Sequence, residues 1–96
     1  MSPDKQKKLN KIRNQLDSLD NSLIKLIKKR TELVKQVLKL KEYKNQIIDK
    51  KRIKVILSQI KKKSLKNKID PKITNRIWKN MVWSYIDFEK RNFKKK

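Results

Sequence analysis

The first forty residues carry apolar side chains at a regular helical spacing, and residues 5–43 contain neither proline nor glycine. Steps that alternate between three and four residues place side chains along one face of an α-helix. We therefore predict one helix from about Lys5 to about Tyr43, roughly 60 Å long. A helix of that length cannot bury its apolar face against itself, so it needs a partner. This face, called the seam below, consists of Leu9, Ile12, Leu16, Leu19, Leu23, Leu26, Arg30, Leu33, Val37 and Leu40.

Arg30 places a charge in this otherwise apolar seam. The residues three and four positions away on either side are all apolar. A guanidinium group keeps its proton, so burying it is costly unless an anion meets it. We expect the anion to come from a ligand or from a partner chain, and a structural pair across a dimer with Asp17 or Asp20 is the alternative.

The composition excludes several kinds of chemistry. The chain has 96 residues and contains no glycine, cysteine or histidine, which removes zinc fingers, disulfide scaffolds, thiol nucleophiles and imidazole bases. A chain this short predicts one domain, 1–96, with a core over about 9–89 and a basic tail at 90–96. It has no long apolar run and no signal-peptide core, so we expect a cytoplasmic protein without a membrane segment.

The formal net charge of +21 first suggests nucleic acid as a partner, because lysine neutralises phosphate. The chain is also rich in lysine, isoleucine and asparagine, a composition typical of AT-rich genomes, and runs of charge usually form solvated faces. We therefore consider nucleic acid an unlikely partner and expect the field to attract small anions. Only five of the thirty basic residues are arginine. Where lysine is the usual cation, an arginine indicates a position that uses its planar, two-pronged donor geometry.

Two further helices follow the first. The pattern breaks at 44–48, and Asp49 can cap a second helix that carries Ile53, Ile56, Leu57 and Ile60. We predict a basic connector over Lys61–Ile69, then a third helix that begins at Asp70-Pro71, an N-cap followed by proline at the first helical position. Its predicted apolar face consists of Ile73, Ile77, Trp78, Met81, Val82, Tyr85 and Phe88. The predicted fold class is all-α, with three helices and a very long first one.

The spacing of three cations on the predicted first helix indicates which of them could share a ligand. Lys41 follows Arg30 by eleven residues, which brings the two within about 20° on the helix and roughly 16 Å apart along it. Arg13 precedes Arg30 by seventeen residues, or about 25 Å, too far for one small ligand to touch both in one chain. If Arg13 belongs to the site, it must come from an antiparallel partner, and a two-fold dimer would hold two equivalent sites.

These residues resemble the all-helical (type II) chorismate mutases. The resemblance covers about Leu9 to Glu89 and implies an intertwined two-fold homodimer without cofactor or metal. It also implies conversion of chorismate to prephenate, in phenylalanine and tyrosine biosynthesis, by a Claisen rearrangement. Its most specific positions are the four basic residues Arg13, Arg30, Lys41 and Arg52 and the polar residue Glu89 on the last helix.

The resemblance assigns roles to those positions. Arg30, with Arg13 from the other subunit, would clamp the two carboxylates of chorismate, and Lys41 would donate to the ether oxygen and a carboxylate. Arg52 would position the ring end, and Asp49 would contact the ring hydroxyl region through its backbone. Tyr85 would also contact substrate. Glu89 stands where many relatives have glutamine, so it would have to be protonated to donate a hydrogen bond to the ether oxygen.

Two positions depart from the mutase pattern. Ile53 follows Arg52 where mutases usually have a glutamate that accepts from the substrate hydroxyl, and Tyr85 replaces a small hydroxyl residue. Both departures resemble the isochorismate-pyruvate lyase branch of the fold, which releases salicylate and pyruvate, whereas Glu89 differs from the glutamine of that branch. The mutase reading is preferred and the lyase is the alternative.

A different class of protein also fits the charge and the long helix, namely a small basic nucleic-acid-binding protein or a coiled-coil adaptor. Such a protein would tolerate exchange of lysine and arginine and would bind any duplex in a salt-sensitive way. An enzyme that clamps a carboxylate would not tolerate exchange of arginine for lysine, because lysine cannot reproduce the two parallel donors of the guanidinium group.

Overall fold

The computed structural model describes residues 1–94, and all regular secondary structure in that range is helical, without a strand. Helix α1 spans Pro3–Leu40, a short 3-10 turn spans Lys44–Gln46, α2 spans Lys50–Lys66 and α3 spans Pro71–Asn92. The predicted all-α class with a long first helix is therefore confirmed. The chain divides into two compact units, Met1–Leu33 and Val34–Lys96, called the N-terminal unit and the C-terminal unit and described separately below.

The N-terminal unit is a helical segment that begins two residues earlier than predicted. Proline at the first helical position fits because its missing N–H would have no helical partner there. The Ser2 hydroxyl accepts from the Lys5 N–H at 3.3 Å, and the acidic Asp4 lies in the first turn, where the helix dipole favours it. Ser2-Pro3 thus has the same pattern as Asp70-Pro71, an N-cap side chain followed by proline at the first helical position.

The seam is exposed along this unit. Its members from Ile12 to Leu26 are each between 53% and 61% exposed, so this part of the seam is not buried within the single chain, consistent with a helix that needs a partner. A row of leucines in water is unfavourable by about 25 cal/mol per Å². The helix therefore presents a long apolar face that its own chain leaves uncovered.

The C-terminal unit holds the hydrophobic core. Ile47, Val82 and Ile86 are buried, and five partly buried side chains pack against them: Leu38, Ile48, Ile53, Ile56 and Phe93. Ile47 lies in the segment where the helical pattern breaks and is only 3% exposed. The buried face of α3 consists of Val82, Ile86 and Glu89, whereas Ile73 and Ile77 of the predicted apolar face are exposed.

Helix α2 begins as predicted but ends later. Asp49 caps it by accepting from the Arg52 N–H at 3.0 Å, whereas the predicted connector Lys61–Ile69 is wrong because the helix continues to Lys66. The reason is a contact with α3: the Ser64 hydroxyl is buried and lies 2.7 Å from the Thr74 hydroxyl. A hydroxyl pair with satisfied partners holds the last turn of α2 in place.

A tight turn joins α2 to α3. Lys68 adopts a positive φ of 58°, and the N–H groups of Lys68 and Ile69 bond back to the carbonyls of Leu65 and Ser64 at 3.2 and 2.8 Å. This is a Schellman ending, usually made with glycine, which the chain lacks. Asp70 then caps α3 by accepting from the N–H of Lys72.

Helix α3 extends to Asn92, so residues 90–92 of the predicted basic tail are helical. Lys95 and Lys96 lie outside the described residues. No helix in the described part of the chain is long and apolar enough to cross a membrane.

Candidate functional site

A buried ion pair lies at the centre of the candidate site. The Lys41 ammonium donates to Glu89 Oε1 at 2.9 Å, and the two side chains are 17% and 7% exposed. Glu89 is one of the few polar residues buried in the described chain. Because a buried carboxylate is costly without a partner, the position of Glu89 depends on Lys41.

Lys41 is the first residue after α1, not a residue within it as predicted. Its N–H bonds to the carbonyl of Leu38 at 3.2 Å, which tightens the end of the helix. The Gln46 side chain then accepts from the N–H groups of Glu42 and Tyr43 at 2.7 and 2.9 Å. These bonds replace helical ones, so the helix stops and the Lys41 side chain is held beside α3.

Glu89 lies in the last turns of α3, which ends at Asn92. A carboxylate there meets the negative end of the helix dipole and gains nothing from it. The ammonium group of Lys41 therefore supplies the favourable electrostatic contact.

An open cavity of about 570 Å³ adjoins Lys41. This volume lies in the range of small-molecule sites. Three cations contribute to its wall against one acidic residue, Asp49, so a negatively charged ligand is favoured. The lining residues are Val37, Leu40, Lys41, Gln46, Ile48, Asp49, Lys50 and Lys51.

The other predicted site residues are placed as follows. Arg52 is exposed in the first turn of α2, and Tyr85 is half-buried on α3, four residues before Glu89. Arg13 and Arg30 belong to the N-terminal unit, where Arg13 is exposed and Arg30 is half-buried. The structure thus brings Lys41 and Glu89 into contact, and Lys41 and Asp49 to one cavity.

Three polar residues of this cavity were not predicted from the sequence. Lys50 and Lys51 line it, but nothing in a chain this rich in lysine distinguishes them. Gln46 is the third, and it carried a weak signal, because a glutamine three residues into a helical turn often bonds back to the residue before that turn.

The arrangement defines a class of protein: a small helical domain with a cation-lined cavity and a lysine at its wall that is paired with a buried carboxylate. Such groups can bind, orient and stabilise charge. Within the described residues there is no cluster of side chains able to hold a metal ion.

Comparison with protein families identifies the particular fold. Residues 12–90 match the family chorismate mutase type II. Because this match covers well over half of the chain, the protein belongs to the chorismate mutase type II family, and the resemblance found in the sequence is confirmed. No curated protein and no solved structure matches the chain significantly.

The ion pair predicts an asymmetric loss of stability. In Lys41→Met the buried Glu89 oxygen loses its donor, so the free energy of unfolding should fall by about 2 kcal/mol. In Glu89→Gln an amide oxygen still accepts from Lys41, so the loss should be below about 1 kcal/mol. Urea denaturation at one fixed protein concentration measures both values.

Arg91→Met is the matched control, because it breaks the Arg91–Asp87 pair, whose side chains are 65% and 68% exposed. Its expected cost is at most about 0.5 kcal/mol. If Lys41→Met costs no more than Arg91→Met, the buried pair does not support the fold.

Proposed function

We propose that the protein catalyses the Claisen rearrangement of chorismate to prephenate. The observation that carries this proposal is the Lys41–Glu89 pair at 2.9 Å, beside a cation-lined cavity, in a chain of the chorismate mutase type II family. The corresponding setting would be the cytoplasmic synthesis of phenylalanine and tyrosine.

The chemistry fits the residues that the chain contains. A pericyclic rearrangement needs neither a nucleophile nor an obligatory proton transfer, so a protein without histidine or cysteine loses nothing. It needs the substrate held in a chair-like conformer and support for negative charge on the breaking ether oxygen. Pre-oriented cations supply both.

Lys41 is the proposed donor to that oxygen. An ammonium group has three N–H donors, and one of them is directed to Glu89 Oε1. This contact fixes the side chain so that another donor can point to the ether oxygen or a substrate carboxylate. A pre-positioned donor is more effective than a mobile one, because it needs no reorganisation as charge develops.

Arg30 is proposed to bind one substrate carboxylate through its two-pronged guanidinium group. Arg13 from a second copy of the chain is proposed to bind the other. The exposed seam supports the second copy, since an apolar face of this length is typical of a helix with a partner along it. The proposed assembly is an intertwined two-fold homodimer with two equivalent sites.

Asp49, Arg52 and Tyr85 complete the proposed site. Asp49 lines the cavity, and its side chain caps α2, which leaves contact with the ring hydroxyl to its backbone. Arg52 follows within the first turn of α2 and is proposed to support the ring end. Tyr85 shares α3 with Glu89 and is proposed to contact substrate.

Glu89 is proposed to donate a hydrogen bond to the ether oxygen when it carries a proton. In the structure Glu89 Oε1 instead accepts from the Lys41 ammonium group. In this contact the carboxylate positions Lys41, and a glutamine could do the same through its amide oxygen.

Isochorismate-pyruvate lyase activity is the second candidate. The observation in its favour is Ile53, which is partly buried and packs against the core of Ile47, Val82 and Ile86. An apolar side chain at that position offers no acceptor to a substrate hydroxyl, unlike the glutamate usual in mutases.

Turnover assays with each substrate test the reaction. We expect the purified protein to form prephenate from chorismate faster than it forms salicylate from isochorismate. In Arg30→Lys, kcat/KM should fall at least about 100-fold, because the bidentate clamp is lost while the net charge stays the same. The matched control is Arg76→Lys on the exposed surface of α3, which should retain full activity.

Salicylate formation as the faster reaction would establish the lyase instead. Equal activity of Arg30→Lys and Arg76→Lys would exclude the clamp. If neither substrate turns over and the protein binds any duplex in a salt-sensitive way, the basic nucleic-acid-binding reading replaces both enzymes.

Mixing inactive chains tests the shared site. Arg13→Ala and Arg30→Ala should each be inactive alone, but a heterodimer of the two contains one intact site. Unfolding and refolding an equimolar mixture should therefore restore about a quarter of the wild-type activity. As a control, Arg30→Ala mixed with Lys41→Ala should restore none, since both residues of each site come from one chain. No recovery in the first mixture would rule out the intersubunit role of Arg13.

A further inference from the structure

A second cavity of about 360 Å³ lies in the C-terminal unit, between the end of α1 and the end of α3. It shares no lining residue with the cavity beside Lys41, and neither Lys41 nor Glu89 lines it. Its wall includes Lys35, Leu38, Lys39, Phe88, Phe93 and Lys94.

The inner wall of this cavity is apolar and anchored. Leu38 and Phe93 pack against the buried core, and Phe88 is half-buried on α3. Side chains held by a core keep their positions, so the cavity is formed before any ligand arrives. Two phenyl rings and a leucine favour a flat, apolar ligand body, because aromatic rings pack in offset-stacked or edge-to-face arrangements.

The rim of the cavity is cationic. Lys35 and Lys39 are four residues apart on α1, a spacing that makes them neighbours of like charge, and Lys94 adds a third ammonium group. None of the lining residues that the structure describes is acidic. A negatively charged group at this rim would be attracted by the lysines, and the net charge of +21 would favour its approach.

We propose that this cavity binds a small aryl carboxylate, with the ring against Phe88 and Phe93 and the carboxylate at Lys35 and Lys39. The volume lies at the lower end of the range for small-molecule sites, which limits the ligand to one ring and a short side chain. This site is separate from the proposed reaction site and does not depend on the reaction catalysed.

The location gives the site a physical connection to the ion pair. The carbonyl of Leu38, a wall residue, accepts from the N–H of Lys41. Phe88 directly precedes Glu89 on α3. A ligand in this cavity thus contacts both segments that hold the pair.

Calorimetry on the full chain tests the proposal with 3-phenylpropanoate as the probe. We expect saturable binding, with acetate and 3-phenylpropanamide at least about tenfold weaker, because each lacks one half of the recognised chemistry. The double variant Lys35→Gln/Lys39→Gln should bind 3-phenylpropanoate about tenfold more weakly and should bind the amide unchanged.

The matched control is Lys62→Gln/Lys66→Gln, which removes two exposed lysines at the same spacing on α2 and leaves the same net charge. Its affinity for the probe should stay within about twofold of wild type. Backbone amide shifts in NMR spectra should change around Leu38, Phe88 and Phe93.

If the affinity for 3-phenylpropanoate falls equally in the two double variants, the binding is an unspecific attraction to positive charge, and the proposal is overturned. Equal binding of acid and amide, absence of saturable binding, or shift changes confined to Lys41 and Asp49 would overturn it as well. None of these readouts uses turnover, so failure of the proposed mutase activity leaves the test of this cavity unaffected.

Discussion

The contact between Lys41 and Glu89 is the constraint on which the site depends. It joins the segment after α1 to the last turns of α3, and both side chains are largely removed from water. Replacing such a pair by apolar groups of similar volume is often neutral or stabilising, so its presence is weak evidence for a role in stability alone. A lysine held by a buried carboxylate at the edge of a cation-lined cavity is better explained as a functional group kept in position.

The hydrophobic core is small, so the exposed seam is the second feature that constrains how the chain can be stable. In the described chain only Ile47, Val82 and Ile86 are buried hydrophobic residues, all within the C-terminal unit. A chain of this size has little apolar surface to bury by itself, and association is the usual remedy. The proposed dimer would cover the seam and deliver Arg13 at the same time, so folding and completion of the site would be one event.

Local sequence signals predicted where the helices begin. The features that they did not predict depend on contacts between residues far apart in the sequence. Asp49 and Asp70-Pro71 encode caps within a few residues, so the starts of α2 and α3 were predictable. The end of α2 depends on the contact between Ser64 and Thr74, ten residues apart on different helices, and no local pattern contains that information. The burial of Ile47 was missed for the same reason, since its neighbours come from other segments.

The candidate site was predictable only in part. The proximity of Lys41 and Glu89 came from the family resemblance, because nothing in a separation of 48 residues indicates contact. Lys50 and Lys51 were missed because the chain contains many lysines on its surface. In such a chain only burial or a fixed partner distinguishes a functional lysine from an ordinary surface lysine. Lys41 has both, whereas Lys50 and Lys51 are exposed.

The residue after Arg52 bears on the choice between the two proposed reactions. A carboxylate there would accept from a ring hydroxyl, but Ile53 instead packs against the core, so the hydroxyl must be met by other groups. Asp49 lines the cavity close by, and its side chain already accepts from the N–H of Arg52. An apolar residue in place of a charged acceptor weakens discrimination between substrates that differ in where the hydroxyl sits, because specificity is strongest where a polar group would be left unpaired by the wrong ligand. Chorismate and isochorismate differ in this respect, so Ile53 would make both proposed reactions accessible to one cationic site.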